Sequence, residues 1–572
     1  MMMNIRERRL YQSIMNSTML YIVMLVMLVL ILYPLVMVFL QSLFPDIFGG
    51  SLKGFLSPFI QVLKSEGLFG VVTNTVLWGI AVTIGCVIVG VPCGFILAKT
   101  DMPGKGLIRV IYAIPYMTPP YVGALAWILF IQERGFLEEM LAGRLPGFVQ
   151  DIFFSFWGLT FIMILFLYPF TALGVEAGLR ALPSNFENSA RVLGANRSAL
   201  IRRIVTPLLL PVILNTGLLV FLQTVSNFGV PATLGSRARF PIITAEIYNL
   251  ISSWPINFPL STALSGILVA MALAIMYISE WVMKKRDYGV ISGRGIYQVY
   301  TLSNLQKLLA GGFVFVLFLC SVAIPFATMI FASLVKIWGD GFFNLSNYTL
   351  QNYIQVFGPQ SEGLQALWIS FSLGLIAPTI ILLGAAFIAY VLSHYKGGLA
   401  FALNFIGFLP RSLPKVVVVV GLILAWNAPW IGVRIYNTYF MLLLAYVVLY
   451  LPDALRYGDS GMRNITRNLE NSALVMGASK WRVFTRIIFP LLRPYLIASW
   501  ILSFIICVRE LVASILLLPP GIETTATYIF SQFEQGGLSE AMCMATVTIT
   551  LTVAALLIFN LKYGGGPVQS RT

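Results

Sequence analysis

The sequence predicts an all-α integral membrane protein of about twelve transmembrane helices, arranged as two parallel six-helix repeats. Three observations carry that reading. The first is composition: 58% of the 572 residues are hydrophobic and 10% are charged, with a mean hydropathy of +0.87, whereas about 25% of a soluble globular chain is charged. The second is the series of apolar runs, each near the roughly 20 residues needed to cross a bilayer. The third is a polar stretch written twice, FENSARVLGANRSALIRRIVTPLLLP at 186–211 and LENSALVMGASKWRVFTRIIFPLLRP at 469–494, identical at 13 of 26 positions.

Each run has its own justification. The first, near 19–41, follows Arg6, Arg8 and Arg9 as a secretory signal would, but its apolar core is too long and no small-residue cleavage site follows, so it reads as a retained helix. Runs near 70–98, 107–131, 153–177, 205–225 and 262–283 complete the first half. The second half repeats them near 308–332, 366–393, 398–426, 437–456, 488–508 and 541–561. The third run of each half holds a proline pair, Pro115 with Pro119 and Pro410 with Pro414. Proline inside a helix removes a backbone donor and crowds the preceding turn, so both third spans are expected to kink, helping to shape a gate where a kink lies beside the pathway.

A net charge of +15 would suit nucleic acid, but the basic residues follow a topology instead. With the N-terminus inside, nine of the 37 Lys and Arg fall in outside segments and two within the ninth run, leaving 26 at the inside ends. That is the positive-inside bias. It predicts a multi-pass protein with cytoplasmic N- and C-termini whose neighbour is lipid, not nucleic acid.

The repeat organises the chain. Adding 283 carries Glu187 to Glu470, Asn188 to Asn471, Gly194 to Gly477 and Pro207 to Pro490, while Pro115 and Pro119 pair with Pro410 and Pro414 at an offset of 295. The difference falls in the outside loop 132–152. The first repeat is therefore 1–295, with its polar loop at 181–206, and the second 296–572, with its loop at 464–489. An even number of spans per repeat keeps the halves parallel and places a pathway between them.

Within the loop, Ser184 and Glu187 fit a capping box opening a short helix; in the second copy Asn468 is the candidate cap, because Arg467 occupies the Ser184 position. Ser189, Ala190, Gly194 and Ala195 leave a shallow surface, matched by Ser472, Ala473, Gly477 and Ala478, and each glycine permits a turn that a side chain would obstruct. Pro207 is expected to open the next span. A short helix across the membrane face of each half is a docking element for a two-fold or pseudo-two-fold soluble partner.

The five cysteines form no close pair and His394 is the only histidine, so neither a disulfide framework nor a Cys/His metal site is expected. No catalytic constellation is visible. Acidic residues near mid-membrane, which an ion-coupled secondary transporter needs, are also wanting: Glu176, Glu280 and Asp453 lie near run ends.

The loop resembles the EAA motif of permease subunits in binding-protein-dependent ABC importers: Glu-Ala-Ala, three residues, Gly, nine residues, then Ile-x-Leu-Pro. The matching residues are Asn188-Ser189-Ala190, Gly194, Ile204 and Pro207, then Asn471-Ser472-Ala473, Gly477, Ile487 and Pro490. Asn replaces the motif's Glu, Ser its first Ala, and Thr206 or Phe489 its Leu; Glu187 and Glu470 stand one place earlier. The resemblance implies a type I importer fold and a coupling helix in each loop, docked on an ATP-binding cassette dimer, with an extracytoplasmic substrate-binding protein on the opposite side. It also implies a bacterial cytoplasmic (inner) membrane location and no enzymatic activity of this chain's own. No G-x-x-x-x-G-K-[ST] is present, so ATP and Mg are expected on the separate subunit and no cofactor on this one. The fused two-by-six arrangement is similar to ferric-iron importer permeases, whose relatives handle phosphonates, sugar phosphates and thiamine. IPYMTPPYVGALAW at 114–127, NFGVPATLG at 227–235 and VRELVASILLLPPG at 508–521 point to the iron branch.

Arg411 and Lys415 are the two basic residues well inside an apolar run. At i and i+4 they would share one helix face near mid-span. Two readings stand: they line the pathway and favour anionic cargo, or they pair with Asp453 or Glu510.

Overall fold

The computed structural model describes residues 19–182, 192, 194, 196–284, 299–395 and 397–563. In the first repeat the helices able to cross a membrane are Met19–Leu43, Glu66–Lys99, Phe156–Ala181, Ile201–Val225 and Phe258–Val282. In the second they are Asn304–Leu334, Glu362–His394, Tyr439–Asn464, Lys480–Val508 and Leu538–Ala555. Two bent pairs, one per repeat, bring the ten to twelve. No strand occurs among the described residues, as expected where lipid cannot satisfy open backbone groups.

The bent pairs are the third spans. Lys105–Pro115 and Pro120–Met140 meet at 90°, Gly398–Ser412 and Lys415–Trp426 at 113°. Both breaks share one cause. A residue before proline is pushed out of the α region, and Thr118 before Pro119 (φ −87°, ψ 135°) and Leu413 before Pro414 (φ −111°, ψ 149°) are extended. The other prolines act more gently. π-helical turns at Leu28–Leu32, Ile201–Val205, Leu319–Ala323 and Phe484–Ile488 each end two residues before a proline, at 34, 207, 325 and 490. A wider turn accommodates the missing N–H without breaking the helix. The fifth spans accordingly run through Pro207 and Pro490, and Pro207 does not open its span, which is already helical from Ile201.

The repeats exchange their first spans. Met19–Leu43 lies against Lys415–Trp426 of the second repeat: a Cβ on Gly421 would come within 2.7 Å of the Pro34 carbonyl oxygen, and the Trp430 indole donates to the Tyr33 hydroxyl at 2.9 Å. Reciprocally, Ile324–Leu334 packs against Pro120–Ile131 of the first repeat. Each of the two large apolar cores therefore draws on both repeats, and the sequence boundary at 295/296 is crossed in space by both first spans. Within the first repeat Gly90 and Gly94, four residues apart, let span Glu66–Lys99 approach Phe156–Ala181 closely, since a Cβ on Gly94 would sit 2.6 Å from the Ala172 carbonyl oxygen.

Candidate functional site

The polar loop of the second repeat folds as a short helix, Arg467–Val475, followed by a turn into the fifth span. Thr466 occupies the N-cap without a side-chain bond, so Asn468, the expected cap, lies inside the first turn. Gly477 closes the helix in the left-handed region (φ +88°), its N–H bonded to the Leu474 carbonyl at 3.0 Å, and the Ala478 N–H reaches the Ala473 carbonyl at 3.0 Å. Ser479 then caps the fifth span through the Arg482 N–H at 3.3 Å.

The first copy uses the same devices where it is described. Gly194 has φ +81°, and Asn196, the counterpart of Ser479, accepts from the Ala199 N–H at 2.8 Å. Glu187, Asn188, Ser189, Ala190 and Ala195, with the capping box of Ser184, lie outside the described residues.

Exposure sorts the second copy into two faces. Asn471, Ser472 and Gly477 are exposed, Ala473 and Ala478 half-buried. Val475 and Met476 are 87% and 89% exposed, and Val192, which aligns with Val475, is 88% exposed. Sequence reasoning missed this apolar tip, although a valine two residues before each glycine was legible. Glu470 points the other way. Its side chain is 8% exposed, bonded to His394 Nε2 at 2.7 Å and accepting from the Tyr390 hydroxyl at 3.1 Å. Burial alone would raise the Glu470 carboxyl, but His394 and Tyr390 together hold it below the usual carboxylate range.

The pathway set falls at the break of the second repeat's third span. Arg411 lies one residue before the end of the segment that precedes the break and Lys415 starts the helix after it, so the expected shared helix face does not exist. Arg411 pairs with Asp453. Lys415 pairs with Glu510 at 2.7 Å and donates to the Tyr450 hydroxyl at 2.9 Å, while Tyr450 donates to the same carboxylate. Both cations stay partly open, with side-chain exposures of 45% and 42%. Pro410 and Pro414 are buried at that break; Pro115 and Pro119 are buried at the other. A cavity of about 590 Å³ opens at the coupling-loop end, lined by Asn404, Phe408, Arg456, Asp459 and Arg463 among others. A second, of about 280 Å³, lies at the opposite end where the repeats meet, with Glu246 and Asn249 facing Phe530 and Glu534. Among the described residues no group of three His, Cys, Asp or Glu could hold a metal ion.

The family described as binding-protein-dependent transport system inner membrane component matches residues 90–286 and 380–563. Each match contains one copy of the polar loop and omits the exchanged first span. The chain is 24% identical over 539 residues to the ferric transport system permease protein FbpB of Actinobacillus pleuropneumoniae, covering 93% of this chain and 76% of the relative. It is 23% identical to the Fe(3+)-transport system permease protein FbpB 2 of Haemophilus influenzae, covering 88% and 91%. Against the putative 2-aminoethylphosphonate transport system permease protein PhnV of Salmonella paratyphi A the identity is 26%, over 43% of this chain and 91% of the relative. With the family matched once in each six-span half, the chain belongs to the inner membrane components of binding-protein-dependent transport systems, as a fused two-repeat ABC importer permease and not an enzyme.

Proposed function

We propose that this permease imports ferric iron, delivered by an extracytoplasmic binding protein, across a bacterial inner membrane with both termini in the cytoplasm. The observation that carries the cargo is coverage: the relatives named for ferric transport align along nearly the whole fused chain, whereas the phosphonate relative aligns with 43% of it. The binding protein docks on the outside loops 226–261, 332–365 and 509–540. A cassette ATPase dimer holding ATP and Mg sits under the two coupling loops, its closure driving alternate opening of the pathway beside the third-span breaks. The exposed Val475–Met476 tip and its counterpart at Val192 support that docking, since almost fully exposed aliphatic side chains at a polar surface mark an interaction site.

Anionic cargo such as 2-aminoethylphosphonate is the second reading. Arg411 and Lys415 gave it support as pathway cations, but each is matched by a carboxylate, which weakens their pull on an anion. Mass spectrometry and metal analysis of the ligand that copurifies with the cognate binding protein decide between the two: iron supports the proposal, and a phosphonate without iron overturns it.

A further inference from the structure

The one histidine of this chain is the last residue of span Glu362–His394, and it touches the coupling helix. His394 Nδ1 lies 2.7 Å from the Tyr390 carbonyl oxygen, which can only accept, so that nitrogen carries a proton. Nε2 lies 2.7 Å from both Glu470 carboxylate oxygens, and an ionised carboxylate also only accepts. Both contacts are satisfied together by an imidazolium over a carboxylate. The end of a helix, where unpaired carbonyls gather, favours that cation. A second clasp lies alongside: the Arg467 guanidinium donates to the Ser393 carbonyl at 2.6 Å. Arg467 and Glu470 both belong to helix Arg467–Val475, so one turn of it grips the final turn of the second span.

We infer that His394 is a positioning residue that fastens the second coupling helix to span Glu362–His394, so that movement of the docked ATPase is passed to this span only while His394 is protonated. The inference rests on the proposed docking of the ATPase at the coupling loops. The groups facing His394 are Tyr390 and Ser393 on its own helix, Glu470 and Arg467 on the coupling helix, Lys480 at the start of the fifth span, and Tyr395 just beyond. Burial and Lys480 oppose the cation and Glu470 favours it; of the two charged side chains only Glu470 bonds to it. The first repeat differs. At the 295 offset His394 corresponds to Lys99, the buried last residue of Glu66–Lys99, so the first repeat has no imidazole at this place.

The test uses the permease assembled with its ATPase subunits and binding protein in lipid nanodiscs, with no histidine tag. Because the permease holds a single histidine, selective isotope labelling gives one imidazole NMR signal. At pH 7 it should report two protonated nitrogens, and Glu470→Gln should convert it to the neutral ring. Binding-protein-stimulated Mg–ATP hydrolysis should fall about 5- to 10-fold in His394→Ala, the range of a modest coupling energy. In the wild type stimulation should decline as pH rises from about 6 to 9, whereas His394→Lys should restore it and hold it level. ATPase copurification should be unchanged in His394→Ala, because Val475 and Met476 remain exposed. A neutral imidazole at pH 7, or equal stimulation in His394→Ala and wild type, overturns the inference. Loss of the docking reading shows separately, as normal copurification of a Val475→Glu/Met476→Glu permease.

Discussion

At the scale of single residues, charge is spent where it has a partner. Glu510 is 4% exposed and serves Lys415 and Tyr450 at once. Glu510→Ala would strand Lys415, which typically costs about 3–5 kcal/mol for a wholly buried pair. Lys415 keeps 42% of its side chain exposed, so we expect a screened loss of about 1–2 kcal/mol, read as a lower unfolding midpoint in detergent, with Glu510→Gln retaining part of it. Glu470 gives a pH dependence of definite sign. Its carboxyl sits below the ordinary value of 4.5, so its contribution is complete from that value up to the pH at which His394 gives up its proton, and disappears as the pH falls through the depressed one. Proteolysis within 465–479 should accelerate on acidification of the wild type, and Glu470→Gln should be cleaved at the accelerated rate throughout.

The same scale shows what the sequence could and could not convey. The pairing of Arg411 with Asp453 and Lys415 with Glu510 was nameable from the residues, because an intramembrane cation needs a counter-charge and few acids lie within reach. A kink at Pro410 and Pro414 was also expected, but not that it would be a 113° break sharp enough to take Arg411 and Lys415 off one helix face. The inward turn of Glu470 was hidden as well: an acid in a polar loop looks solvated until His394, 76 residues away, is seen against it.

At the scale of elements, proline position decides between a bend and a break. A proline two residues after a widened turn leaves the span continuous, as at Pro34, Pro207, Pro325 and Pro490, while the spans break at Pro119 and Pro414, where the preceding residue is extended; spacing alone does not decide, since Pro207 with Pro211 and Pro490 with Pro494, also four apart, stay helical. The coupling glycines form a second motif. Among the described residues, chain neighbours apart, no atom lies within 4 Å of a Cβ built on Gly194 or Gly477, so a bulky replacement is costly there for its left-handed backbone, by about 1–3 kcal/mol. Gly477→Val should reach the membrane in normal amount yet lose most transport. Membrane abundance and uptake measured on the same cells check this, and full uptake would remove the need for that turn.

The periodic apolar runs made the spans legible almost throughout, since hydrophobic length is a local property. The exchange of first spans was not legible, because packing partners hundreds of residues away leave no mark on periodicity. Gly421 against Pro34 shows the point: the glycine is unremarkable in KVVVVVGLILAW until the other backbone is seen 2.7 Å from its would-be Cβ. Gly421→Leu should overpack this contact, at about 1–3 kcal/mol, and detach the first span, making a cysteine at 33 reactive toward a lipid-soluble thiol reagent that it resists in the parent.

At the scale of the whole molecule, two intertwined repeats each carry one copy of the polar loop, with the cavity of Glu246, Asn249, Phe530 and Glu534 at the opposite end. Orientation is checked with cysteines at Met476 and Leu345, 89% and 86% exposed, after removal of the native five. In intact cells an impermeant reagent should label 345 and spare 476; the reverse would invert the topology. The central claim is that each repeat docks one ATPase subunit through its coupling tip. Mass photometry of the complex in nanodiscs counts those subunits directly. The account predicts two on the parent permease, one when Val475 and Met476 are both changed to Glu, and none when Val192→Glu is added together with Leu193→Glu, the position that aligns in sequence with Met476. Two ATPase subunits retained on the fully substituted permease would contradict it.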